Sequence, residues 1–102
     1  MTNDERRAEW ITRMDDANVP AHLRAGLARY LVGHLHTGSF LHAVLTNNLR
    51  GAVFAADDDS LVGLLPIMRF LYNDAPADSW GSPDAVNRWL EAAPAQYAAE
   101  VA

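Results

Sequence analysis

The sequence predicts an all-α protein, a compact bundle of about five helices. Three observations carry that expectation. Apolar residues recur at spacings of three and four, as in Leu23, Leu27, Tyr30 and Leu31. No stretch alternates apolar and polar residues as a half-buried strand would. Helix punctuation recurs along the chain: Asn18-Val19-Pro20, Thr37-Gly38-Ser39, Asp57-Asp58-Asp59-Ser60 and Ser82-Pro83-Asp84.

The elements follow in order. Asp4 to Ala17 reads as a first helix with a thin apolar stripe, Trp10, Ile11 and Met14, so it is expected to lie on the surface of the body. Pro20 suits the first turn of a second helix, where a missing N–H costs nothing, and Gly33 suits its end. After a loop, His34 to Gly38, either Ser39 or Thr37 caps a third helix running to about Ala56. That segment is apolar around most of its circumference, from Phe40 and Leu41 to Val53 and Ala55. It is therefore expected to be the buried central element, about 39–56. Its one polar stripe is His42, Thr46 and Arg50. Asn48 falls inside the apolar arc, where an unbonded amide is costly, so it requires a structural bond or a ligand or subunit contact. Asn47 lies beside it.

Asp57 to Ser60 places carboxylates at the start of a fourth helix, where they complement the helix dipole. The alternating ligands and turn glycine of a calcium loop are missing. Pro66 should kink or divide that helix. Arg69, its only charge, is read as a stem over the core with its head reaching an acid or a helix end. Asn73 to Gly81 is a loop, with Tyr72 and Trp80 as candidate core plugs. Ser82-Pro83-Asp84 begins a fifth helix with Val86, Trp89 and Leu90 inward. Pro94 ends it, and the alanine-rich tail is expected to fray. The 102 residues make one domain, 1–102: a surface helix over 1–18, a body over 20–92 and a tail over 93–102.

Composition narrows the function classes. There is no cysteine, hence no disulfide and no thiolate metal site. Met1 to Arg7 is polar with no apolar run behind it, which predicts no signal peptide. The longest apolar stretch, Leu61 to Tyr72, is too short for a membrane span. A cytoplasmic protein is expected. A domain of this size buries only about two-thirds of its unfolded surface, so a homo-oligomer would add stability. All eight basic residues are arginine, a pattern of GC-rich genomes or of bidentate anion contacts.

Charge is partitioned unevenly. The net −5 divides into −2 over residues 1–16 (three Arg, five acids), +3 over 17–56 (three Arg) and −6 over 57–102 (two Arg, eight acids). All four histidines lie in the acid-free middle: His22, His34, His36 and His42. An anionic ligand or an acidic partner surface would be met there. Thr37, Gly38 and Ser39 combine two hydroxyls with a glycine at a helix start, which serves either as a plain cap or as an anion site. With His42, Thr46, Asn47, Asn48 and Arg50 they form the candidate ligand or partner site. His34, His36 and His42 lack a nearby carboxylate in sequence, so no metal and no cofactor are expected. No serine has a recognisable base nearby in sequence and no carboxylate pair sits on an apolar background, so catalysis is not expected. Direct nucleic-acid binding is disfavoured by the negative charge and the divergence of Arg24 and Arg29 around their helix.

From Leu23 onward several segments keep a distinctive order. They are Gly26-Leu27-Ala28-Arg29-Tyr30-Leu31, Gly38-Ser39-Phe40-Leu41, Ala43-Val44-Leu45, Asn47-Asn48-Leu49 and Ala56-Asp57. Phe70-Leu71-Tyr72-Asn73 with Pro76, and Trp80-Gly81-Ser82-Pro83 with Val86 and Trp89, complete the series. Over about two-thirds of its length the chain thereby resembles a group of small uncharacterised bacteriophage and prophage proteins. Members often have proline where Thr37 stands and aspartate where Asn48 stands; the second difference removes an acid. The resemblance implies a phage-type accessory protein in the cytoplasm of a bacterial host, a regulator or inhibitor of host processes, including host defence. Two functions compete, the second drawn from the acid-free middle, the Thr37-Gly38-Ser39 helix start and the Asn47/Asn48 pair, with an enzyme as a third and less favoured reading. One is a protein-interaction module whose acidic ends meet a basic surface of a host or phage protein. The other is an oligomeric sequestrant of a small anionic ligand such as a signalling nucleotide, with arginines of neighbouring subunits on the phosphates.

Overall fold

In the computed structural model, which describes residues 2–92, the chain is helical throughout its ordered elements. These are α1 (Asn3–Asp16), α2 (Ala21–Gly33), α3 (Ser39–Leu45), α4 (Leu49–Ala55), α5 (Asp58–Val62), α6 (Leu64–Asn73), a 3₁₀ turn (Ala77–Ser79) and α7 (Pro83–Glu91). The all-α expectation is met, but with seven α-helices among the described residues rather than about five. Pro94 and the tail over 93–102 lie outside the described residues.

The helix count differs for local reasons. α1 and α3 end in the same device. At the end of α1, Asn18 takes φ 63°. Its N–H donates to Asp15 O at 3.1 Å, and the next N–H, of Val19, donates to Met14 O at 2.9 Å. At the end of α3, Asn47 takes φ 63°. It donates to Val44 O at 3.1 Å, and Asn48 donates to Ala43 O at 2.8 Å. Both are Schellman ends with asparagine in the left-handed position, which asparagine tolerates better than most residues. The continuous helix expected over 39–56 is therefore two helices. Asn48 is not a buried amide in an apolar arc: it is exposed, and its Oδ1 accepts from Gly51 N at 2.9 Å, capping α4. The His42–Thr46–Arg50 stripe does not exist as a helix face, because Arg50 belongs to another helix. Thr46 turns its hydroxyl back onto His42 O at 2.8 Å.

The fourth predicted helix also divides, at Gly63 rather than at Pro66. Pro66 is the third residue of α6, where no intrahelical donor is needed. Gly63 sits against Pro20: a Cβ there would fall 2.1 Å from Pro20 Cγ. The chain turns where it does because only a glycine admits that approach. Pro20 itself stands one residue before α2, and Gly33 is the last residue of α2, followed by His34 in the left-handed conformation at φ 55°.

Several starts follow the sequence. Asp57 Oδ1 accepts from Ser60 N at 2.7 Å at the head of α5, and Ser82 Oγ accepts from Ala85 N at 3.0 Å at the head of α7. Neither expected cap of α3 forms. Gly38 occupies the cap position without a side-chain bond, Ser39 is the first helical residue, and the Thr37 hydroxyl is buried without a partner among the described residues.

One core joins the elements. α1 packs along α2, and α3 along α4. Met14, Val19, Leu27, Tyr30, Leu45, Ile67, Phe70, Leu71 and Val86 are almost wholly buried. Trp10 meets Phe70 edge to face at 5.9 Å between centroids, so the first helix closes the core rather than merely lying over it. Polar bonds pin the C-terminal part to α2. Tyr30 donates its phenol O–H to Ser79 O at 2.6 Å, and Trp89 donates its indole N–H to Tyr30 O at 2.8 Å. The His34 ring stacks on Trp89 at 4.4 Å and donates from Nδ1 to Trp89 O at 2.6 Å. Gly81, at φ 112°, a value that favours glycine, donates its N–H to Leu45 O at 2.7 Å. Among the described residues no helix is long and apolar enough to cross a membrane.

Candidate functional site

Of the eight residues read as a site from sequence, four line cavities, two in each of two places. Gly38 and Ser39 line an open cleft of about 420 Å³ between α2, the start of α3, the end of α4 and the start of α5. Asn47 and Asn48 line a smaller cavity of about 170 Å³, closed mainly by Val44, Leu49, Ala52, Leu64 and Met68. Thr37, His42 and Thr46 line neither, and Arg50 stands on the surface of α4. The candidate site is thus not one constellation.

The four histidines are also dispersed in role. His34 is committed to Trp89 and His22 to Ser60, whereas His36 and His42 are exposed. Among the described residues no three His, Cys, Asp or Glu side chains gather where they could hold a metal ion. Arg24, one of the three arginines of the acid-free middle, is engaged: its guanidinium pairs with Asp15 at 2.9 Å and donates from Nε to Val19 O at 2.8 Å. That clamp closes the α1–α2 turn. Arg29, Arg50 and Arg69 make no ion pair among the described residues.

The cleft has chemistry that sequence reading did not assemble. His22 Nε2 and Ser60 Oγ share a hydrogen bond at 3.0 Å, and Asp57 Oδ2 lies 3.9 Å from the same nitrogen. Hydrogen bonds from the Ser60 backbone N–H and then its hydroxyl hold the Asp57 carboxyl below its usual range, with a smaller contribution from His22. The signal was hard to read: His22 and Ser60 stand 38 residues apart in the chain.

The second feature is a surface. Leu49, Val53 and Phe54 of α4, Leu61 and Val62 of α5, and Leu65 and Tyr72 of α6 are all exposed. Phe54 is 79% and Val62 82% accessible, values that rule out a role in this core. Arg50 lies over Phe54, its guanidinium carbon 5.8 Å from the ring centroid. α4 contributes only Ala52 to the buried set, so it is not the buried element its composition predicted. Tyr72 is not a core plug, although Trp80 is partly buried against the core. Arg69 is exposed and holds no acid among the described residues. An apolar helix can be apolar because it is buried or because it is shared, and pattern alone does not separate the two.

No protein-family model, no curated protein and no solved structure matches the chain.

Proposed function

We propose that this protein acts by binding rather than by catalysis: a phage-type accessory protein of the host cytoplasm that docks on a host or phage protein and modulates a host process, host defence among them. The observation that carries this reading is the exposed apolar surface of α4, α5 and α6. Soluble monomers rarely leave a contiguous apolar patch of more than a few hundred Å² uncovered. The seven residues named above stand on three successive helices and together expose apolar area on the order of several hundred Å². Arg50 and Arg69 lie among them, and Asp58 and Asp59 stand at the head of α5. The fitting partner is therefore a protein surface with an apolar centre that offers carboxylates to the arginines and cations to the aspartates.

Geometry at Asp57, His22 and Ser60 also speaks against a catalytic relay there. In the Asp57, His22 and Ser60 neighbourhood both oxygens approach the same imidazole nitrogen. A catalytic relay needs the acid on one ring nitrogen and the nucleophile on the other.

The test is capture from bacterial lysate by immobilised wild-type protein and by a Phe54→Asp/Leu65→Asp double variant. A stoichiometric partner held by the wild type and lost by the variant supports the reading. No partner, or one held equally by both, overturns it.

A second reading, sequestration of a small anionic ligand by a homo-oligomer, draws on the cleft. It joins Gly38 and Ser39 to Arg29 and His22. A ligand present at about 100 times its dissociation constant should add roughly 2.7 kcal/mol to stability. A nucleotide panel that leaves the melting temperature unmoved overturns this reading.

A further inference from the structure

We propose that the cleft between α2 and the heads of α3 and α5 binds a nucleoside-monophosphate-like ligand: a phosphomonoester at its Arg29 end, and a planar group bearing hydrogen-bond donors at its Asp57 end. This rests on the second reading above and names the ligand's class and orientation.

His22 and Arg29 are seven residues apart on α2 and share a face, their Cα atoms about 10 Å apart along the axis, with the Arg29 guanidinium folded back toward Gly26. The two ends of the cleft differ in kind. At one end His22, Asp57 and Ser60 form a hydrogen-bonded group whose Asp57 carboxylate accepts from a ligand's N–H. At the other, Arg29 has no acid partner among the described residues and lies over Gly26, its terminal nitrogen 3.8 Å from where a Cβ at Gly26 would be. A free guanidinium in a concave site is suited to a phosphate or carboxylate, and the exposed Ser39 hydroxyl is a further donor within the cleft.

Beside the Arg29 guanidinium, which folds over Gly26, the lining is apolar. Gly26 has no side chain, and Leu41 Cδ1 lies 3.9 Å from the same Cβ position. Leu23 and Phe40 extend the apolar lining. A bare phosphate would use the Arg29 end alone. A ligand with an anion at one end, a flat middle and donors at the other uses the whole length. The cleft volume of about 420 Å³ falls within the range of small-molecule sites. Polarity fixes the orientation: a phosphate placed beside Asp57 would face a like charge.

The experiment is a titration of the full chain followed by amide NMR, using AMP, adenosine and inorganic phosphate as probes. Wild type, Arg29→Gln and, as a reference, Arg88→Gln at an exposed position of α7 are compared. AMP is expected to shift amides over residues 22–29 and 38–41 saturably. Binding should weaken about tenfold in Arg29→Gln and stay unchanged in Arg88→Gln. Adenosine and phosphate should each bind about tenfold or more weakly than AMP. Phosphate binding as tightly as AMP would leave the anion reading standing and overturn the nucleotide assignment. AMP binding untouched by Arg29→Gln would overturn the orientation. No saturable shift with any probe would remove both.

Discussion

Phe70 and Phe54 are the same residue type in the interior of short helices, yet one is 1% accessible and the other 79%. Phe70 sits where α6 crosses the core, with Trp10 edge-on against it. Phe54 projects from α4, with the Arg50 guanidinium over its ring. The same contrast separates two regions. Around α1, α2, α3 and α6, apolar residues are matched by apolar residues. Along α4, α5 and the outer side of α6, apolar residues face outward. Hydrophobic sequence thus has two placements in this chain: closing its own core, and facing outward from α4, α5 and α6.

Substitution separates the two uses. Phe70→Ala should cost about 3–5 kcal/mol by combined loss of burial and cavity formation, whereas Phe54→Ala should stay within about 0.5 kcal/mol. Urea unfolding midpoints check both, and a large loss in Phe54→Ala would break the comparison.

Next comes the phenol that ties the core to the C-terminal part. Burial pushes the Tyr30 hydroxyl up to about 12 from its ordinary value near 10. The folded state therefore holds that proton more tightly than the unfolded chain does. Its contribution is fully present below about pH 10 and is lost as pH rises toward 12, about 2–3 kcal/mol in all. Ionisation also removes the O–H donated to Ser79 O. Stability measured from pH 9 to 12 should fall in the wild type. In Tyr30→Phe that part of the slope should vanish, and an unchanged slope would place the alkaline sensitivity elsewhere.

Gly63→Ala should cost about 1–3 kcal/mol, because the added methyl would meet the rigid Pro20 ring and not a flexible chain end. A neutral result by thermal melting would mean that α5 and α6 pivot freely. Asn48→Ala removes the α4 cap and should cost about 1 kcal/mol, the smallest of these effects. Because α4 hardly enters the core, that loss should appear as faster amide exchange over 49–55 more than as a lower global melting point.

Much of the frame was legible. The class, the inward residues of α2 and α7, the helix start at Asp57–Ser60 and the Ser82 cap were readable because local hydrogen bonding and periodicity determine them. The α3–α4 break was not, although Asn18 had marked the first such turn. Pro20 follows Asn18 and announces a stop, whereas Asn47 is followed by Asn48, which caps the next helix without interrupting the apolar period. Reading through that turn created both the false His42–Thr46–Arg50 stripe and the buried Asn48. The site was legible in parts only. Gly38 and Ser39 do line a cleft, but Arg29, His22 and Asp57 reach it through packing of segments distant in sequence, which no local pattern encodes. The outward face of α4 was hidden for a different reason: a segment apolar on all sides gives no sign of which side remains open.

The most direct test of the central claim, that α4–α6 is a docking surface and not unfinished core, is the paired measurement on the Phe54→Asp/Leu65→Asp variant. Its melting temperature and its retention of the stoichiometric partner captured by the wild type are read together. The predicted result is a melting temperature unchanged within about 3 °C, given sub-kcal surface effects, with the partner lost. An unfolded variant, or a folded one that still holds the partner, would contradict it.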